Sequence, residues 1–207
     1  MHNIIFTILV LIQAVFIKSV LADATETNWQ LINDEEGIKV YILDTEYSDI
    51  IKAKTTTLVK APLNKVKAIL DDIDARHEWI PFLVKSKALS EYKNNKRIEY
   101  SHFSAPWPAS DRDFIYEIEL FYGLDRQLVY KMKSVESALK GEDNNKIRGI
   151  LYESRYTLTP LDKETTVVEL VYHADPKGWL PNWIINIIQQ VLPYKILRNL
   201  KIRLNEK

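Results

Sequence analysis

The stretch Pro106-Trp107-Pro108-Ala109-Ser110-Asp111-Arg112-Asp113-Phe114 is the most informative part of the sequence. Each of its two prolines fixes the backbone φ angle and lacks an N–H donor, so neither suits the interior of a helix. Because the prolines flank Trp107, the indole is predicted to lie at the tip of a stiff, non-helical loop. The Arg-Asp-Phe sequence at its end is predicted to open a β-strand.

Strands are predicted on both sides of this loop, with turn residues between them. Alternating or β-branched residues mark two strands in the N-terminal part, at 37–43 and 50–59. Six further strands are predicted, with ranges near 84–92, 96–104, 112–122, 127–136, 147–159 and 165–174. Such a run of consecutive strands indicates an antiparallel meander.

Three helices are predicted around these strands. Pro62 suits the first turn of a helix, and apolar residues recur at helical spacing over 63–73. A short helix is predicted over 74–83, and a long one over 180–204. Strands and helices come in blocks, which favours an α+β fold with an antiparallel sheet. A curved sheet that grips one long helix encloses an apolar cavity, where a ligand is expected to bind.

The predicted C-terminal helix is unusually apolar. Residues at spacings of three and four place on one face Leu180, Trp183, Ile184, Ile187, Ile188 and Val191. Pro193 is expected to kink the helix. The helix either packs on the sheet as ordinary core or, as we favour, forms a lid over the cavity. As a lid, it has basic residues available to lipid headgroups, namely Lys195, Arg198, Lys201 and Arg203.

The N-terminal segment is predicted to be an export signal. Residues 4–17 form an apolar run of 14 residues, and about 20 are needed to span a bilayer. Val20-Leu21-Ala22 then fits a small-residue cleavage site. An uncleaved membrane anchor remains the alternative. We therefore expect a signal peptide over 1–22, one lipid-binding domain over 23–207, and an exported protein that is periplasmic or secreted.

The composition excludes several classes of function. Without residues 1–22, the remaining 185 residues carry 27 basic and 28 acidic side chains, so the net field does not favour nucleic acid. The absence of cysteine excludes disulfides and thiol chemistry. Gly-x-Ser-x-Gly and His-Glu-x-x-His motifs are also absent. His77, His102 and His173 are far apart in sequence, so we expect no metal, no cofactor and no enzyme activity.

The sequence resembles START domains, the steroidogenic acute regulatory protein-related lipid transfer family, over roughly 50–205. The motifs that carry this resemblance are Trp79, the Trp107-Pro-Ala-Ser-x-Arg-Asp segment, Ile147-Arg148 and Lys177-Gly178-Trp179-Leu180-Pro181. It implies a helix-grip fold that encloses one lipid, with the Trp107 loop and the final helix at the mouth. In family members that transfer ceramide, the positions of Trp107 and Trp179 are tryptophans that touch the membrane. The alternative is that each ring folds back onto the body.

The resemblance also suggests pocket residues. Glu99 matches a buried acid of sterol-binding members, whose arginine partner is replaced here by Ile118. Arg148 or Arg155 is a candidate replacement partner, and a solvent-exposed Glu99 is the alternative. Ser101 stands where ceramide-binding members have an amide. The pocket candidates are Glu99, Ser101, His102, Arg148, Trp183, Ile184, Ile187, Ile188 and Val191.

These observations predict a carrier that binds one lipid and transfers it between membranes, touching each membrane transiently. One alternative is a helix-grip enzyme of the cyclase or aromatase type. A paired histidine and acid within the cavity would favour that enzyme. The other alternative is a lipid sensor that does not transport, for which a closed mouth without exposed tryptophans is expected.

Overall fold

A ten-stranded sheet packed against a long C-terminal helix makes up most of the protein in a computed structural model. The structure describes residues 28–45, 48–138 and 145–206, so the signal peptide predicted over 1–22 lies outside the described residues. The strands are β1 (Gln30–Glu35), β2 (Ile38–Thr45), β3 (Ser48–Val59), β4 (Leu83–Ala88), β5 (Lys96–Phe103), β6 (Arg112–Tyr122), β7 (Leu128–Ser134), β8 (Ile147–Arg148), β9 (Ile150–Pro160) and β10 (Thr166–Asp175).

The sheet has the order β1-β2-β3-β10-β9-β7-β6-β5-β4, and β8 pairs with β6. All neighbours along that path are antiparallel, whereas the short β8 runs parallel to the start of β6. β3 pairs with β10, so the first three strands lie beside the last strand of the chain and not beside β4. The α+β prediction with an antiparallel sheet is confirmed.

Two details of the sheet differ from the predictions. β1 was not predicted, because its sequence QLINDE has no buried side chain to give an alternating pattern. The strand predicted over 147–159 is two strands, divided at Gly149. A Cβ atom at that position would collide with the ring of Phe114, so the close approach of β6 requires glycine.

The segment between β3 and β4 is helical. Pro62 precedes α1 (Leu63–Asp71), which buries Val66, Ile69 and Leu70 against the sheet. The helix predicted over 74–83 is shorter, a 3₁₀ helix at Asp74–Glu78. This short helix places the Arg76 side chain inside the protein.

The C-terminal helix has three parts: α2 (Asn182–Asn186), a π-helical turn (Ile187–Val191) and α3 (Leu192–Glu206). A π-helical turn contains an extra residue, so the face that follows it is displaced by one position. The structure accordingly buries Leu192 and leaves Val191 37% exposed. Pro193 follows directly, and its missing N–H removes an α-helical hydrogen bond at this point. Among the described residues, no helix is both long and apolar enough to cross a bilayer.

Three of the four basic residues of α3 contact other parts of the protein. Arg198 pairs with the Glu36 carboxylate at 3.1 Å, and the Lys201 ammonium donates to the Glu36 carbonyl at 2.7 Å. Arg203 pairs with Glu78 at 2.6 Å. These contacts fasten α3 to the β1–β2 turn and the 3₁₀ helix. The three cations were expected to be available to lipid headgroups, but they are paired within the protein.

Because the buried face of the helix is displaced, substitutions at the neighbouring positions 191 and 192 should change the free energy of unfolding by different amounts. Leu192→Ala should lower the free energy of unfolding by about 2–5 kcal/mol, because it empties a buried site. Val191→Ala should cost less than about 1 kcal/mol, since that side chain is partly exposed. Urea denaturation measures both, and equal losses would indicate an uninterrupted α-helix.

Candidate functional site

An apolar cavity, called here the inner cavity, lies between the sheet and the C-terminal helix. The volume that the centre of a water molecule can occupy inside it is about 100 Å³. Its lining is mostly apolar and aromatic, with Trp79, Phe103, Phe114, Tyr156, Leu192 and Ile196 among the residues. Among the described residues that line it, Arg76 alone carries a charge.

A second space, the outer passage, lies toward the Trp107 loop, and the centre of a water molecule can occupy about 70 Å³ of it. It shares with the inner cavity the residues Phe103, Phe114, Tyr172 and Leu192, so the two spaces are adjacent. The first half of the C-terminal helix contributes Ile184, Ile187 and Ile188. This arrangement is that of a helix covering a long apolar cavity.

A buried cluster of charges closes the inner end. Glu99 is fully buried, and its two oxygens bind Arg76 at 2.6 Å and Arg97 at 2.5 Å. The Arg76 guanidinium also donates twice to the Leu70 carbonyl, at 3.1 and 2.8 Å. Burial opposes the charge on Arg76, but the Glu99 carboxylate holds its pKa above the ordinary value. Two arginines therefore share one carboxylate, which leaves one net positive charge at this end.

The partner of Glu99 differs from the prediction. Arg148 instead binds Asp113 through two hydrogen bonds of 2.6 and 3.1 Å, and does not line either space. Arg155 faces Glu153 at 3.4 Å. The true partner, Arg76, comes from a short 3₁₀ helix whose sequence gave no sign of a buried cation.

Hydroxyl and indole donors surround the same end. Ser101 lines the inner cavity, and its hydroxyl hydrogen-bonds to that of Tyr116 at 2.9 Å. Burial raises the pKa of Tyr172 to about 12 and also raises the pKa of Tyr156, so both phenols remain protonated at neutral pH. Trp79 lines the cavity, and its buried N–H has no partner among the described residues. The inner end thus offers a cation and several neutral donors.

His102 lies outside the cavity lining. Successive residues of a strand face opposite sides, and Ser101 takes the inner side, so His102 points away. Its Nε2 lies 2.7 Å from Asp111, which also accepts from the Ala105 N–H at 3.0 Å. Although burial raises the pKa of Asp111, these hydrogen bonds lower it overall. The histidine–acid pair therefore fixes the Trp107 loop rather than facing a ligand.

Trp107 and Trp179 stand on two loops that meet at the open end. Their exposures are 89% and 67%, so neither ring folds back onto the body. The buried Arg112 guanidinium donates to the carbonyls of Ser110, Lys177 and Trp179, and so joins both loops. This arginine was not predicted as a site residue, although it stands in the most informative motif.

Two residues of the C-terminal helix that were predicted to line the pocket lie outside its lining. Trp183 is 48% exposed and lines neither the inner cavity nor the outer passage, and neither does Val191. Their assignment assumed an ideal α-helix with one apolar face. Trp183 instead adds a third exposed indole near Trp179.

Comparisons with known proteins agree with this geometry. Residues 11–205 match the START domain family. An uncharacterised protein of Pseudomonas aeruginosa is 26% identical, over 93% of each chain. The phosphatidylcholine transfer protein of Mus musculus is 25% identical over 78% of this chain and 77% of its own. The crystal structure of a STAR-related lipid transfer protein from Xanthomonas axonopodis superposes with a TM-score of 0.74 at 28% identity, covering 86% of this chain and 98% of that one.

Removing the Glu99 carboxylate from the charge cluster should strongly destabilise the folded protein. Glu99→Ala should lower the free energy of unfolding by about 3–5 kcal/mol, because it leaves buried arginines without a counter-charge. Glu117→Ala is the matched control, since Glu117 pairs with Lys96 at the surface and should cost at most about 1 kcal/mol. Equal losses in urea denaturation would show that Glu99 is not needed to neutralise the inner end.

Proposed function

This chain belongs to the START domain family, and from that membership we propose that it binds one phospholipid and transfers it between membranes. The observation that carries the proposal is the pair of adjacent, mostly apolar spaces that lie between the exposed tryptophan loops and the Arg76 end. Each buried CH₂ group of an acyl chain contributes about 0.8 kcal/mol. An acyl chain that enters this apolar space thereby recovers burial that it loses on leaving a bilayer.

The inner end suits the phosphate of a phospholipid headgroup. Arg76 uses three of its five guanidinium N–H groups on Glu99 and Leu70, and the other two have no partner among the described residues. The net positive charge of the cluster favours an anion, and charge-assisted hydrogen bonds to phosphate are strong. The Trp79 N–H and the phenols of Tyr156 and Tyr172 supply neutral donors. We therefore place the headgroup inside and the chain ends toward the mouth.

The two exposed tryptophan loops suit contact with a bilayer surface. An indole is apolar but keeps one N–H that can stay hydrated, so tryptophan is favoured at the membrane interface. Trp107 and Trp179 flank the outer passage, and Arg112 holds their loops together. Lipid would then enter and leave through an opening that faces the membrane.

The alternatives lack the observations that they need. A cyclase or aromatase would require a histidine–acid pair aimed into the cavity, and the His102–Asp111 pair lies outside its lining. A sensor with a closed mouth would not require Trp107 and Trp179 to be so exposed at the opening. Lipid transfer is consistent with a histidine–acid pair outside the cavity and with tryptophans that are exposed at its opening.

We also propose that the protein is exported after cleavage following Ala22. The support is the short apolar run at 4–17 with its small-residue cleavage site. Amino-terminal sequencing of protein recovered from the periplasm tests this proposal. A chain that retains residues 1–22 and stays with the membrane fraction would favour the anchor instead.

The proposal predicts bound lipid. Protein purified without added lipid should carry about one equivalent of phospholipid, because an apolar cavity is unfavourable to leave hydrated. Mass spectrometry of an organic extract identifies and counts the lipid. A lipid-free protein that also takes up no labelled phospholipid would rule out the carrier function.

Delivery should depend on the two tryptophans. Trp107→Ala and Trp179→Ala should each weaken liposome binding by about 1–3 kcal/mol, from the apolar area removed. Transfer between vesicles should slow while folding stability and bound lipid are retained. Vesicle co-sedimentation and a fluorescent lipid transfer assay measure the two effects.

The matched control is Leu124→Ala. Leu124 is 83% exposed, similar to Trp107, but lies beyond the far end of β6. At about 3.3 Å per residue, that end is roughly 33 Å from Arg112. Leu124→Ala should therefore leave transfer unchanged. Parental transfer by the double tryptophan variant would contradict the membrane contact.

A further inference from the structure

Arg112 occupies an unusual place in the apolar path. Among the described residues that line the outer passage, it alone carries a charge. It is only 4% exposed. A lipid that moves between the bilayer and the Arg76 end must pass this guanidinium.

The hydrogen bonds of Arg112 are all to neutral acceptors. Its guanidinium donates to the carbonyls of Ser110, of Pro176 at 3.3 Å, and of Lys177 and Trp179 at 3.1 Å each. These carbonyls belong to the Trp107 loop and the Trp179 loop. No carboxylate binds the guanidinium among the described residues.

The two neighbouring carboxylates are engaged elsewhere. Asp111 accepts from His102 and from the Ala105 N–H. Asp113 is bound at both oxygens by Arg148. The Arg112 guanidinium is therefore hydrogen-bonded only to backbone carbonyls among the described residues, and the nearby Asp111 carboxylate acts on it without a direct hydrogen bond.

A phosphate group crossing an apolar passage loses hydration, which is costly unless a counter-charge replaces the lost water. A guanidinium binds phosphate through paired hydrogen bonds in which donor and acceptor carry opposite charges, whereas a carbonyl acceptor is neutral and offers no such pairing. A phosphate at the mouth should thus displace some of the four carbonyls from Arg112. Because those carbonyls tie two loops together, their displacement also loosens the mouth.

We propose that Arg112 is a transit site for the phosphate of a lipid headgroup, which it binds during entry and exit. The site rests on the proposed transfer function and deepens it. The headgroup passes from the bilayer to Arg112 and then to Arg76. While no phosphate is present, Arg112 keeps the two tryptophan loops joined and the passage narrow. Arg112 thereby controls the rate of exchange, whereas Arg76 controls occupancy.

Two variants separate the charge of Arg112 from its role in joining the loops. Arg112→Gln removes the charge, and Arg112→Lys keeps a charge that binds phosphate but cannot join four carbonyls. Transfer of fluorescent phosphatidylcholine between galactolipid vesicles should fall about tenfold in Arg112→Gln, the equivalent of one lost charge-assisted hydrogen bond. Arg112→Lys should transfer at or above the parent rate, because it keeps the charge and loosens the loops, and bound lipid at equilibrium should be unchanged in both. Equal rates in the two variants would overturn the transit site.

Controls exclude a general effect of surface charge and identify the source of the phosphate. Lys85→Gln removes an exposed cation from β4 and should leave the rate unchanged. Inorganic phosphate, added in place of chloride at equal ionic strength, should also leave it unchanged if the site serves headgroups. A rate that inorganic phosphate alters in the parent but not in Arg112→Gln would assign the site to dissolved phosphate and overturn the headgroup assignment.

The parent protein provides a test that does not depend on the folding of a variant. The Arg112 Nε–H signal in an NMR spectrum should shift when dihexanoyl phosphatidylcholine is added and should not shift with octyl glucoside. The absence of any shift with the phospholipid would overturn the proposal. A wild-type protein that transfers no lipid at all would instead refute the proposed function, so the two failures are distinguishable.

Discussion

The buried ion-pair cluster of Arg76, Glu99 and Arg97 is the constraint on which the rest of the structure depends. A charge placed in an apolar interior must be neutralised and hydrogen-bonded, and this cluster neutralises all but one positive charge. The inner end is therefore polar and cationic, whereas the walls between it and the tryptophan loops are apolar. The contrast between the cationic inner end and the apolar walls would by itself orient an amphipathic ligand, without contact between the protein and a membrane.

Structural features that depend on residues close together in the sequence could be predicted from it. The strands followed from alternating residues, and the start of α1 followed from Pro62. The side-chain assignments on the C-terminal helix required the π-helical turn, and no sequence pattern distinguished Val191 from Leu192 as the buried residue. Strand alternation alone would have separated Ser101 from His102, because adjacent residues cannot both face the cavity.

Partners distant in sequence could not be predicted. Glu99 binds Arg76 across 23 positions of sequence, and the 3₁₀ helix that carries Arg76 has no distinctive pattern. Arg112 connects loops that are more than 60 residues apart. Such pairings depend on tertiary packing, which decides whether a charged residue is exposed or buried. The motif around Trp107 predicted an exposed loop, but not the buried arginine that joins it to the Trp179 loop.

The most direct test of the central claim is a crystal structure of the protein loaded with phosphatidylcholine whose acyl chains end in bromine. The account predicts a phosphate within hydrogen-bonding distance of Arg76 and anomalous bromine peaks toward the outer passage. Bromine peaks beside Arg76, with the phosphate outside the tryptophan loops, would contradict it. They would show that the lipid binds in the opposite orientation and that the buried charges do not recognise its headgroup.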